Sequence, residues 1–214
     1  MLNRMIANWG HPSGLLGHLA GLEMSVGKRP SIELALDLLG LPDDARVVEI
    51  GCGPGVAIKA LAARVPSGSI TGIEPSSEMR THARLRNRAA VNAGRVTVLA
   101  GSAEALPVDG TAVFTHYLSM YSVAFWQSVE RGLREARRVL VPGGRLVIIA
   151  RPARHAAPAS RAEQIAQVGR AVGFDEIEAG ERNLAGGRAE FVTARRPGEP
   201  VTLSSVHPQS RSHA

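Results

Sequence analysis

Cysteine is nearly absent from the 214-residue chain, where Cys52 stands alone. A single thiol excludes an internal disulfide and any metal site built from clustered cysteines, and no metal is expected. Lysine is almost as scarce. Lys28 and Lys59 are the only two, so the formal charge of +6 is carried by arginine. Arginines spread in this way read as a solvated surface, with an anionic partner as the alternative. Aromatic residues make up 4% of the chain and do not interleave with the arginines, which argues against a base-stacking surface for nucleic acid. No run approaches the ~18 to 20 continuous apolar residues of a membrane span. The opening MLNRMIANWGHPSG has no apolar signal core either. The expectation is a cytoplasmic protein with no membrane or nucleic-acid partner.

What is present is a regular alternation of strand and helix. A lead-in over residues 1–29 carries glycines, His11, His18 and Met24 but little core material. A helix follows, with Pro30 in its first turn and Gly40 and Pro42 as its stop. ARVVEI, SITGIE, RVTVLA and THYLSM read as four strands, and GRLVIIA as a fifth after the turn Pro142-Gly143-Gly144. Between them GVAIKALAARV, SSEMRTHARLRNRAAV (Ser76 as N-cap) and QSVERGLREARRVL read as helices. Arg80, Arg84, Arg86 and Arg88 would form a solvated face of the second of these. Ser160 and Glu163 form a capping box for RAEQIAQVGRAV. DEIEA and AEFVTAR close the pattern as two strands joined across Gly186-Gly187. The tail, residues 197–214, is rich in turn formers and expected to be disordered. Single helices between strands predict a parallel sheet covered on both faces, with a ligand at the carboxyl ends of its strands.

The chemistry concentrates where the first strand meets its helix. VVEIGCGPG places Gly51, Gly53 and Gly55 on alternate positions behind Glu49. Glycines there let the chain turn sharply and let a ligand approach its backbone, with a helix N-terminus aimed at it. A dinucleotide fingerprint would need its third glycine at position 56, which is Val56. A carboxylate beside the turn also serves a pyrophosphate badly and a cationic amino-acid ligand well. Glu74 ends the second strand, where a carboxylate can accept the two hydroxyls of a ribose.

This E-x-G-x-G-x-G turn, with Glu74, GSAEALP (101–107), THYLSMYSVAFW and LREARRVLVPGGRLVII in order, resembles the class I S-adenosylmethionine-dependent methyltransferases, bacterial small-molecule type. The resemblance runs from about Pro30 to Arg196. It implies a three-layer Rossmann-like α/β fold, a mostly parallel seven-stranded sheet with an antiparallel last strand, and S-adenosyl-L-methionine as cofactor. It implies cofactor contacts from Glu49, Gly51, Cys52, Gly53, Gly55, Glu74, Pro75, Met79, Ser102, Ala103, Glu104 and Tyr121. Ser102 departs from the family's usual Asp, replacing a charged acceptor with a hydroxyl. Thr115 departs likewise at the start of the fourth strand.

The implied reaction is methyl transfer to a small-molecule acceptor by in-line displacement, a step that needs alignment and dryness more than a base. The alternatives are an enzyme of this fold that uses the cofactor without transferring methyl, such as a cyclase, and a non-enzymatic binding or regulatory module. If a base exists, His11, His18 and Tyr121 are the candidates. Tyr121 and Trp126 are placed to line the acceptor pocket. His116 lies within a strand and reads as structural, and Cys52 as a small filler. The lead-in is expected to fold over the site as a lid, with a loose terminus or a homodimer contact as the other uses open to it.

Overall fold

The computed structural model describes residues 29–152 and 159–198. The lead-in with His11, His18 and Met24, the linker 153–158 and the tail from 199 lie outside the described residues. Helix α1 (Arg29–Leu39) enters with Pro30 in its first turn and ends at Gly40, whose φ of 59° only glycine adopts freely. Strand β1 (Arg46–Ile50), helix α2 (Val56–Arg64), strand β2 (Ser69–Ile73), helix α3 (Ser77–Arg86), the short helix α4 (Arg88–Asn92) and strand β3 (Val96–Leu99) follow. Strand β4 (Phe114–Met120), helix α5 (Val129–Val139), strand β5 (Leu140–Ala150), helix α6 (Arg161–Ala171) and strands β6 (Asp175–Leu184) and β7 (Gly187–Arg195) are the remaining strands and α-helices of the described residues.

The seven strands form one sheet in the order β3-β2-β1-β4-β5-β7-β6. The pairings from β3 to β5 are parallel, and β7 runs antiparallel to both β5 and β6. The expected fold class is therefore the observed one. Alternate residues of the central strands feed two cores. Val47, Leu118, Val147 and Ile149 face α1 and α2, and Val48, Tyr117, Leu146 and Ile148 face α5 and α6. Each fully buried aliphatic side chain there contributes about 1.5 to 3 kcal/mol.

Four local expectations are corrected. The helix read over 76–91 breaks at Asn87, whose amide donates to the carbonyls of Gly55 and Ala83. An Asn that bonds locally to backbone competes with helix continuation. The arginines of α3 are not simply solvated. Arg80 donates to the carbonyls of Glu74 and Pro75, Arg84 to that of Val98 and Arg86 to that of Pro54. The fifth strand begins at Leu140 rather than after the turn. Leu140 pairs with Phe114 and Arg145 with His116, so residues 141–144 bulge out of the ladder within the strand. The closing strands are longer than the sequence pattern suggested, and Gly187 belongs to β7. The expected caps hold: Ser76 accepts from the Met79 amide, and Ser160 with Glu163 completes its capping box.

Residues 100–113, between β3 and β4, contain no helix. One guanidinium fastens this stretch to α5. Arg138 donates to both carboxylate oxygens of Glu135 and to the carbonyls of Leu106, Val108 and Gly110. Glu135 in turn accepts from the Leu106 amide at 3.0 Å. This bidentate pairing with Arg138 is the main reason the Glu135 carboxyl sits below its ordinary range.

Candidate active site at the carboxyl ends of the strands

Beyond Ile50 the chain takes three left-handed glycines, with φ of 66° at Gly51, 53° at Gly53 and 74° at Gly55. The Gly51 and Cys52 amides both donate to the Ile73 carbonyl, at 2.8 and 3.2 Å, which holds the turn against the end of β2. The reason for glycine differs by position. A Cβ on Gly51 would stand 2.4 Å from Cβ of Ser122, and one on Gly55 would stand 2.6 Å from Nδ2 of Asn87 and 2.9 Å from Cα of Ala83. At these two positions the protein's own groups press on the turn. Gly55 is also the N-cap of α2.

Glu74 links the turn to the next strand. Its buried carboxylate accepts from the Gly53 amide at 2.9 Å and from the Ser76 amide at 3.0 Å. Two backbone donors fix its orientation at the point where β2 ends. Glu49, also buried, sits opposite Gly72 and Leu118 in the sheet. Cys52 fills the space left by the missing side chain of Gly72, whose added Cβ would be 2.9 Å from the sulfur. Burial first, then the nearby Glu49 and Glu74 carboxylates, push its thiol well up, so it is a protonated filler and no nucleophile.

The other expected contacts divide. Pro75 is exposed and Met79 fully buried at the start of α3. Ser102 is exposed, Ala103 is core, and Glu104 turns to the loop before α5. Its carboxylate accepts from the Gln127 and Ser128 amides at 2.6 and 3.2 Å. Burial acts to raise the Glu104 carboxyl, but amide and Ser102 hydroxyl donors outweigh it and leave it below its ordinary range.

Tyr121 leaves β4 with φ of 60°, a left-handed value that costs a tyrosine about 1 to 2 kcal/mol. Two bonds hold it there: its amide donates to the Ile149 carbonyl at 2.7 Å, and its hydroxyl lies 2.6 Å from Oγ of Ser31 on α1. Trp126 packs on Gly132 and donates from Nε1 to Oγ of Ser122 at 3.3 Å. Ser122 is the residue that sequence reasoning missed. Its hydroxyl donates to the Ile50 carbonyl at 2.9 Å and lies 2.8 Å from Oγ of Ser119, so it joins β4, the glycine turn and Trp126. Nothing in SMYS marks it, because its partner is 72 residues away in the chain.

This geometry agrees with what the chain resembles. A methyltransferase-domain family model matches residues 48–148. Residues 48–148 thus carry a methyltransferase domain, with the fold of the S-adenosylmethionine-dependent methyltransferases. It is 24% identical over 183 residues to the uncharacterized methyltransferase YdaC of Bacillus subtilis, covering 84% of this chain and 98% of that protein. A SAM-dependent methyltransferase from Aquifex aeolicus has the same fold, with a TM-score of 0.67 and 18% identity over 82% of this chain and 96% of that one. So has the [4+2]-cyclase SpnF, with a TM-score of 0.67 and 22% identity over 78% and 80% of the two chains. S-adenosyl-L-methionine is the cofactor of the family. Among the described residues no group of three or more His, Cys, Asp and Glu is placed to hold a metal ion. No described helix is long and apolar enough to cross a membrane.

Proposed function

We propose that this protein transfers the methyl group of S-adenosyl-L-methionine to a small-molecule acceptor at the mouth formed by β1, β2 and β4. The observation that carries the reading is the Glu74 carboxylate, fixed by the Gly53 and Ser76 amides at the end of β2 beside the glycine turn. A carboxylate so oriented suits a ribose diol. The second buried acid, Glu49, makes the pocket favour a ligand bearing positive charge over a pyrophosphate. The residues present therefore fit the family's cofactor, which when bound supplies an already activated methyl on sulfur.

The part left to the chain is positioning. Gly51, Gly53 and Gly55 set the backbone, Glu74 orients the ribose, and Tyr121 with Trp126 walls the acceptor side. Catalysis by alignment in a site freed of water asks for no general base. Cys52 and His116 supply none, the first held protonated and the second placed toward the other end of its strand.

Calorimetry with S-adenosylhomocysteine and with NAD tests the cofactor, and release of S-adenosylhomocysteine over a panel of small acceptors tests the transfer. Binding of the sulfur nucleoside with no response to NAD is the expected result. Tight NAD binding with no sulfur-nucleoside response would overturn the reading. The cyclase that shares the fold shows why both arms are needed, since cofactor binding without turnover on any acceptor would favour chemistry other than methyl transfer.

A further inference from the structure

Two arginines stand near the carboxyl-end rim of the sheet. Arg151 follows β5 directly, with its Cζ 5.5 Å from the centre of the Tyr121 ring. Arg182, on β6, takes the same position over Phe191, also at 5.5 Å. Both rings pack with the core cluster that faces α1 and α2. The two arginines are near neighbours across β7: Ala150 pairs with Glu190, and Arg182 with Ala189. That separates them by about two strand spacings, ~10 Å.

Among the described residues neither guanidinium has a carboxylate or a hydrogen-bond partner. Arginines of the neighbouring β7 do: Arg188 is paired with Glu181 and Arg195 with Glu176. Arg151 and Arg182 are both exposed, and each holds its guanidinium over an aromatic face, a contact that restrains it while solvent still reaches it.

Arg151 is the one that adjoins the site. Its platform, Tyr121, is held in a left-handed conformation by the Ile149 carbonyl and by Ser31. The next residue, Ser122, is the side chain seated on Gly51. A strained residue kept in place by two bonds at a ligand mouth is where backbone strain serves function. The guanidinium thus stands close to the turn that would hold a sulfonium. Two like charges so placed repel, and an anionic group between them relieves both.

We propose that Arg151, held over the Tyr121 ring, recognises the acceptor, and that the acceptor is a small carboxylic acid. The inference rests on the methyl-transfer reading of the site. A planar guanidinium matches a carboxylate with two parallel hydrogen bonds and one neutralising charge, whereas a phosphate dianion asks for more donors than this rim offers. Arg182 is the outer cation and draws the acid toward the rim.

The test uses the full chain in two steps. The protein is first saturated with S-adenosylhomocysteine, then titrated calorimetrically with benzoate, benzamide and phenyl phosphate. Benzoate is expected to bind at least about tenfold more tightly than either of the others. Arg151→Gln should erase that preference, Arg151→Lys should keep part of it, and Arg182→Gln should weaken benzoate about threefold. Both arginines are exposed, so the variants fold, and their affinity for S-adenosylhomocysteine should match the parent. Equal binding of benzoate and benzamide, no benzoate binding, tighter binding of phenyl phosphate, or a benzoate preference that survives Arg151→Gln would each overturn the proposal. Failure of S-adenosylhomocysteine to bind in the first step would instead sink the methyl-transfer reading on which it stands.

Discussion

The two ends of the same parallel strands carry opposite charge. At the carboxyl end the buried ionisable groups are acids, Glu49 and Glu74, set around a glycine turn. At the amino end the ionisable groups are bases, of which His116 is buried and the arginines reach the surface. Arg46 opens β1, donating from its amide to Oγ1 of Thr115 at 2.9 Å and from its guanidinium to the Val113 carbonyl at 2.7 Å. His116, Arg145 and Arg195 follow as direct neighbours across β4, β5 and β7. Most of the amino-end cations are satisfied by carbonyls, hydroxyls or Glu176, as a structural edge requires. The carboxyl end instead spends backbone strain and two buried acids on a turn that a cationic ligand can use. Position along a strand, more than residue type, decides which charges are structural and which are offered.

The sharpest way to break that contrast is Gly51→Ala. The new Cβ meets Ser122 at 2.4 Å from a backbone at φ 66°, which combines overpacking with left-handed strain. A loss of about 2 to 5 kcal/mol in chemical denaturation is expected, together with loss of S-adenosylhomocysteine binding. Stability equal to the parent would show that the Ser122 contact does not constrain the turn.

The amino end is tested through His116. Burial first, then Arg145 and Arg195, lower its pKa from 6.5 to about 4. The unfolded chain therefore binds a proton at this residue between pH 6.5 and 4 that the native state does not. Stability from this group is complete above pH 6.5 and lost as pH falls through 4, a total of roughly 3 kcal/mol. His116→Gln should flatten the unfolding free energy over that window by this amount. An unchanged slope would mean that the cationic row does not act on the ring.

Smaller effects sharpen the carboxyl end. Glu74→Gln keeps one acceptor oxygen but loses the charge, and should weaken S-adenosylhomocysteine binding by about 1.5 to 3 kcal/mol in a folded protein. An unaltered dissociation constant would reduce Glu74 to a brace for Gly53. Tyr121→Phe removes the bond to Ser31 and should cost about 1 kcal/mol in thermal unfolding. No measurable change would show that the Ile149 carbonyl alone holds the left-handed backbone.

Much of this was legible in the sequence, and the rest was hidden for one reason. Strand and helix identities, the caps at Ser76 and Ser160, the glycine turn and Glu74 are local signals, readable from period and spacing. What presses on the glycines is not local. Gly51 is required by Ser122 and Gly55 by Asn87 and Ala83, partners that only the sheet order and helix packing bring near. The break at Asn87 followed from the same contact, since its amide leaves α3 to reach the Gly55 carbonyl. The arginines of α3 read as solvent-facing because their periodicity says nothing of the carbonyls awaiting them at the ends of neighbouring segments.

The Arg138 fork has a consequence for how the molecule opens. Residues 106–110 have no helix or strand of their own, and their carbonyls are gathered by one side chain of α5. Such a stretch has no independent free energy of opening; it shares that of the helix turn to which it is fastened. Native-state hydrogen exchange should therefore show the Leu106 amide, bonded to Glu135, exchanging at one rate with the amides of the last turn of α5. The segment that leads out of GSAEALP is timed by the last turns of α5, and the cofactor side of the molecule inherits its dynamics from the end of that helix farther from the mouth.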